Sequence, residues 1–236
     1  MNIKPIFITT VLAVAVSIPA YGASAKFAAG WDTDVVAVGA YSDCVDSTCS
    51  GKETNTKAEV ELAKLHVGAQ KSILVGVSSE IGIWMLTEAK GGKNSTGDFS
   101  SSAMTEGSVD VTLTLMTDDG TTCDIAPDNS VTLKSEMRKL TVSGGGTFED
   151  TTDEFWINVA IETDSKGAHH FEFLGTECEQ GEYTLTAIFD LTAIAEAGGV
   201  DSAADVVVTL GDRMITMQEV RAVRGSLVSD DDPAQP

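Results

Sequence analysis

Between Lys71 and Lys90 the chain reads KSILVGVSSEIGIWMLTEAK, its longest apolar run beyond the N-terminal segment Met1 to Ala25. Ile73, Val75 and Val77 alternate with Leu74, Gly76 and Ser78, and β-formers resume after Glu80 as Ile81, Ile83 and Trp84. Period-two patterning with β-branched and aromatic residues predicts a strand. Apolar residues on both alternating sets predict a central strand partly covered on both faces, and Gly76 and Gly82 allow a bulge or a close backbone approach. The same period recurs downstream. SVDVTLTLMT (108–117) places Val109, Val111, Leu113 and Leu115 on one face and Asp110, Thr112 and Thr114 on the other, the pattern of an antiparallel strand with one wet side. EFWINVAIET (154–163) points Phe155, Ile157, Val159 and Ile161 one way, and GEYTLTAIFDLT (181–192) does the same with Tyr183, Leu185, Ala187 and Phe189. Further strands are predicted within 30–41, 58–67, 131–142, 168–174, 205–210 and 213–223, although the Glu, Leu, Ala and Lys content of 58–67 suits a short helix equally.

Turn chemistry separates these runs. Asp118-Asp119-Gly120 and Asp164 to Gly167 predict turns, and Gly211-Asp212 predicts a two-residue hairpin. Polar or glycine-rich loops are expected over 42–56, 91–107 and 144–153, and AIAEAGGVDSAA (193–204) suits a helical turn. Short strands at close spacing with no long amphipathic helix predict an all-β fold. The expected architecture is an antiparallel β-sandwich, jelly-roll or immunoglobulin-like, of about 8–10 strands with little helix.

One short fragment supports that class. Gly181-Glu182-Tyr183 resembles the tyrosine corner of immunoglobulin-like sandwiches, where a Tyr at a strand start ties its hydroxyl to nearby backbone. The resemblance covers a few residues. The family's Cys two places after the Tyr is Leu185 here, and no Trp sits where its disulfide packing would require.

The N-terminal segment changes the picture of compartment. Lys4, the mostly apolar run Ile6 to Val16, Pro19 and the small residues Ala23 and Ala25 have the order of a secretory signal peptide cleaved after Ala25. No second apolar run approaches the length of a membrane-spanning helix, so no span is expected after leader removal, and the protein is expected to be secreted or periplasmic. The expected organisation is a signal peptide over 1–25, one β-sandwich domain over 26–228 and a disordered acidic tail over 229–236. Roughly 210 residues suffice for a substantial core.

The whole chain carries a formal charge of −21, from 15 basic and 36 acidic residues. The leader holds one of the basic and none of the acidic residues, so the remainder carries 14 minus 36, or −22. That balance argues against nucleic acid or an anionic membrane as partner. An even set of four cysteines in an exported chain reads as two disulfides, and Cys44 to Cys49 with Cys123 to Cys178 is the preferred pairing. The spacing is poor for zinc, and no His lies near the first pair. Asn94-Ser95-Thr96 is a glycosylation sequon.

Catalytic signals are weak. No G-x-S-x-G, H-E-x-x-H, phosphate-loop or dinucleotide-binding pattern occurs. His169 and His170 fall in one predicted strand and so point to opposite faces. Acids grouped in turns, Asp118 and Asp119 and then Asp150 and Asp153, are candidate Ca²⁺ ligands without matching an EF-hand loop; no other cofactor is indicated. Trp31, Trp84 and Trp156 are a candidate sugar platform, and Arg213, Arg221 and Arg224 a candidate interaction edge at the last strands. The leading expectation is a secreted non-catalytic sandwich acting in extracellular structure, adhesion or self-assembly through itself or a surface partner. The alternative is a carbohydrate- or calcium-binding module, and a secreted hydrolase comes third.

Overall fold

The structure is a computed structural model that describes residues 26–45, 48–69, 71–92, 99–127, 130–144, 156–199 and 201–221. The predicted signal peptide over 1–25, the sequon, Asp150, Asp153, Arg224 and the predicted tail over 229–236 lie outside these residues. Eleven strands and no helix occur among the described residues. They are β1 (Phe27–Asp32), β2 (Val36–Val45), β3 (Thr48–Cys49), β4 (Gly51–Val67), β5 (Ser72–Gly92) and β6 (Phe99–Thr117), then β7 (Asp124–Ala126), β8 (Ser130–Gly144), β9 (Trp156–Thr176), β10 (Gly181–Gly199) and β11 (Asp201–Val220). All ladders are antiparallel.

Two sheets face one another as a β-sandwich. One has the order β3-β2-β11-β5-β9-β7, with β1 beside β11 in line with β2; the other has the order β4-β10-β6-β8. β5 is central, as its apolar density predicts. Ile73, Val75, Val77, Ile81, Ile83 and Met85 enter the core, while Leu74, Ser78, Trp84 and Leu86 lie half-buried on the outer face. Val109, Val111, Leu113 and Leu115 of β6 and Leu185, Phe189 and Leu191 of β10 meet them from the second sheet. Each large apolar side chain so buried contributes about 1.5–3 kcal/mol relative to exposure. Gly107 lets the sheets close here, because a Cβ on it would sit 2.8 Å from Val208 Cγ2 and 2.9 Å from Ile83 Cγ2.

Several expected breaks are strand instead. Asp164 to Gly167 lies in mid-β9, because Lys166 and its neighbours pair in unbroken register with β5 and that pairing outweighs local turn preference. Gly211-Asp212 is a bulge inside β11, two residues opposite Glu80, so 201–220 is one strand rather than a hairpin. The helical turn expected over 193–204 is instead strand at the crossing from β10 of one sheet to β11 of the other; Ala193 and Ala195 alternate into the core and Gly199 takes φ +100°. The polar loop over 42–56 is largely β2, β3 and β4, and the loop over 91–107 contracts, since Phe99 to Gly107 begins β6. The run 58–67 is strand, within β4.

Both disulfides form as paired in the sequence: Cys44 with Cys49 across the β2-β3 ladder, and Cys123 with Cys178. Tyr183 Oη donates to Glu179 O at 3.1 Å, the hydroxyl-to-backbone tie of a tyrosine corner, and burial raises its phenol above the ordinary value.

Candidate functional site

A two-sheet sandwich has open edges, and the sequence of each edge strand decides whether that edge is blunted. β4 is broken in register against β10 at Tyr183/Leu185 and carries Lys52, Glu53, Lys57, Glu59 and Glu61. β8 is broken against β6 at Val109/Asp110 and carries Lys134, Glu136, Arg138 and Lys139. β1 and β2 are interrupted at 33–35. β9 has none of these interruptions. It is 21 residues long, contains no Pro and pairs with β5 without a register shift from Gly92/Trp156 to Ile73/Gly175. On its other side β7 covers only Leu174, Gly175 and Thr176, which leaves Trp156 to Phe173 unpaired there among the described residues. At about 3.4 Å per residue this is an edge of roughly 60 Å.

The direction of its backbone groups follows from side-chain contacts. Thr87 Oγ1 donates to Ile161 O at 3.4 Å and Ser165 Oγ lies 3.3 Å from Ile83 O, each across a directly paired position. Such contacts belong to hydrogen-bonded pairs, so the odd-numbered residues of β9 address β5. The even-numbered residues, from Asn158 to Glu172, therefore turn their N–H and C=O groups to the open side. The inner face of this edge is incompletely covered: Ile161 is 42% exposed and Val159 is half-buried. From β8, Lys134 Nζ donates to Ser165 O at 3.1 Å, and Glu136 accepts from Ser165 Oγ, pinning the middle of β9 to the second sheet.

Arg213 of the predicted arginine edge is placed otherwise. β11 pairs with β1 and β2 on one side and β5 on the other, so it is an interior strand. Arg213 points inward at 3% exposure with its Nη2 on Asp32 Oδ2, while its Nε and Nη1 have no acceptor among the described residues. Burial pushes the Asp32 carboxyl up, but the Asp34 N–H and the Arg213 guanidinium outweigh it and hold the group below its usual range. Arg221 is exposed just past β11.

The tryptophans do not converge. Trp31 is 73% exposed on β1 and Trp84 is half-buried on β5, where its Nε1 donates to Glu162 Oε1 at 2.9 Å. Through Met214, Trp31 shares a cross-strand row with Ser78, six residues from Trp84 and two strands away. That separates them by roughly 20 Å along the strands and roughly 10 Å across. Trp156 pairs with Gly92 at the start of β9. Asp118 and Asp119 line a cleft with Glu179, Glu182 and Tyr183. Lys64 occupies Asp118, and Thr117 and the Thr121 N–H hold the Asp119 carboxyl below its usual range. No three His, Cys, Asp or Glu converge as metal ligands among the described residues.

One constellation escapes the sequence. Ser78 Oγ lies 2.7 Å from His170 Nδ1, and His170 Nε2 lies 3.6 Å from Glu172 Oε1. These are the side-chain types of a nucleophilic triad. They lie on an exposed sheet face, however, and Ser78 sits in a strand paired on both sides, so its backbone N–H is committed and cannot serve a developing oxyanion. His169 and His170 do alternate between faces as their spacing requires. Among the described residues, no helix is long and apolar enough to cross a membrane.

No protein-family model matches the chain, and no curated protein does. Solved structures of infectious bursal disease virus overlap it in part. The Gt strain structure aligns at 9% identity and a TM-score of 0.16 over 80% of this chain and 42% of that one. The VP2 subviral particle aligns at 12% identity and a TM-score of 0.14 over 86% and 46%. The chain thus spans less than half the length of these proteins, and overlaps of this quality carry no argument about what it does.

Proposed function

We propose that this protein is an exported, non-catalytic β-sandwich that works by edge-to-edge association with further copies of itself in an extracellular or cell-surface assembly. The observation that carries the reading is the open edge of β9 from Trp156 to Phe173, the one long sheet margin among the described strands without a bulge, break or Pro. An edge of that length offers N–H and C=O groups that another strand completes, giving affinity through main-chain bonds. Two disulfides keep the sandwich intact in an oxidising compartment. The strongly acidic balance of the mature chain opposes close approach at low ionic strength, so association strengthens as salt screens it.

Ala160→Pro tests the reading directly. Ala160 is even-numbered and exposed, so proline there removes a donor from the open side and none from the β5 ladder. The variant is expected to keep the wild-type circular dichroism spectrum and lose concentration-dependent association. Association of Ala160→Pro equal to that of the wild type would remove β9 as the contact.

A further inference from the structure

We infer that the β9 edge closes on the β9 edge of a second copy, antiparallel about a two-fold axis through Ser165; the inference rests on the association proposed above and names its partner and register. A two-fold antiparallel pair centred on one residue places residues equally spaced before and after it opposite each other. The free stretch ends at Phe173 because β7 takes the next three residues. Ser165 is the midpoint of 157–173, so this register pairs all of the free stretch except Trp156, whose counterpart Leu174 is held by β7.

Charge selects the same centre. About Ser165, Asp164 faces Lys166 of the second copy and Lys166 faces its Asp164, which gives two opposite-charge pairs beside the axis. The remaining outer-face pairs are Glu162 with Ala168, Ala160 with His170, and Asn158 with Glu172, none of like charge. On the inner face Val159 meets Phe171, so apolar groups are joined. Moving the centre by one residue puts Asp164 on Asp164 or Lys166 on Lys166. Moving it by two puts Glu162 on Asp164 or Glu162 on Glu172. Ser165 is thus the central register that sets no two like charges face to face.

The hydrogen-bond alternation agrees with this centre. Ser165 is odd-numbered and addresses β5, so at the axis the two copies of Ser165 form a non-hydrogen-bonded pair, and the Lys134 contact on its carbonyl does not compete with the second copy. Asp164 and Lys166 then make the first hydrogen-bonded pairs on either side. Lys166 binds Glu80 Oε1 at 2.7 Å on the β5 side, both side chains being exposed, and pairing with Asp164 of the second copy turns it to the open side.

Cross-linking and a charge swap test the register. In a non-hydrogen-bonded antiparallel pair the Cα atoms lie about 4.5 Å apart, within disulfide reach. Ser165→Cys is therefore expected to give a covalent dimer on mild oxidation. Thr163→Cys is not, because its own counterpart lies four residues away along the pair, roughly 13 Å. Asp164→Lys and Lys166→Asp are each expected to raise the dimer dissociation constant on the order of tenfold, and the double variant to return it to within about threefold of wild type. A wild-type protein that is monomeric at every concentration would overturn the association and this register with it. Association without Ser165→Cys cross-linking and without rescue by the double swap would overturn the two-fold register and leave association standing.

Discussion

Replacing Asp32 with Asn leaves a buried guanidinium without its counter-ion, and the structure sets the size of the effect. Arg213 is 2% exposed at the side chain and Asp32 33%, with Arg213 Nη2 on Asp32 Oδ2. Breaking a fully buried pair by removing one partner costs about 3–5 kcal/mol. Asp32 is a third exposed, so water partly replaces it, and the expected loss is nearer ~2–3 kcal/mol. For a chain of this size that lowers Tm by roughly 4–12 °C. The Nε and Nη1 of Arg213 already lack acceptors among the described residues, so none of these offers the guanidinium a second partner. The assay is thermal and urea unfolding followed by circular dichroism, on Asp32→Asn and on Asp32→Asn with Arg213→Met. Because methionine removes the stranded charge while filling its volume, the double variant is expected to be more stable than the single one. An Asp32→Asn loss below about 0.5 kcal/mol, or a double variant less stable than the single, would refute the reasoning.

Cys123→Ser with Cys178→Ser opens the loop closed across a separation of 55 and is expected to cost about 4 kcal/mol by loop entropy, against about 2 kcal/mol for the Cys44/Cys49 pair with its separation of 5, both read by urea unfolding. Tyr183→Phe removes the bond to Glu179 O from a buried ring and is expected to cost about 1 kcal/mol with the fold unchanged. Asp32 has a folded-state carboxyl held below its ordinary value of 3.8, so its stabilisation is complete above that value and fades as pH falls through the folded one. Asp205, lifted by burial, acts in the opposite sense, so Asp32→Asn is expected to flatten the acid limb of a stability-pH profile that Asp205→Asn leaves steep.

The sandwich was legible wherever burial alternates cleanly. Over 109–115 of β6 and 183–191 of β10 every second residue enters the core, and the sequence carries that alternation as apolar residues. The disulfide pairing was legible too, since Cys44 and Cys49 are near neighbours and Cys123 and Cys178 flank predicted strands. Strand length was not. Asp164-Ser165-Lys166-Gly167 has turn composition, yet unbroken pairing with β5 on either side carries it through as strand. Gly211-Asp212 likewise has hairpin composition but spends its extra residue as a bulge against Glu80. Strand order was invisible because it depends on long-range pairing. That is why the last strands looked like an edge although β11 is enclosed, and why the uncovered side of β9 left no trace in its composition. Arg213 shows the same limit: its residue type signals surface, while its inward phase on β11 places it on Asp32.

Sedimentation velocity of the chain without residues 1–25, wild type beside Ala160→Pro and over a wide range of concentration and salt, tests the central claim most directly. The sedimentation coefficient of the wild type is expected to rise with concentration, more steeply at high salt, while Ala160→Pro stays a monomer at every concentration. A wild-type protein that remains monomeric throughout, or an Ala160→Pro variant that associates as strongly as the wild type, would contradict it.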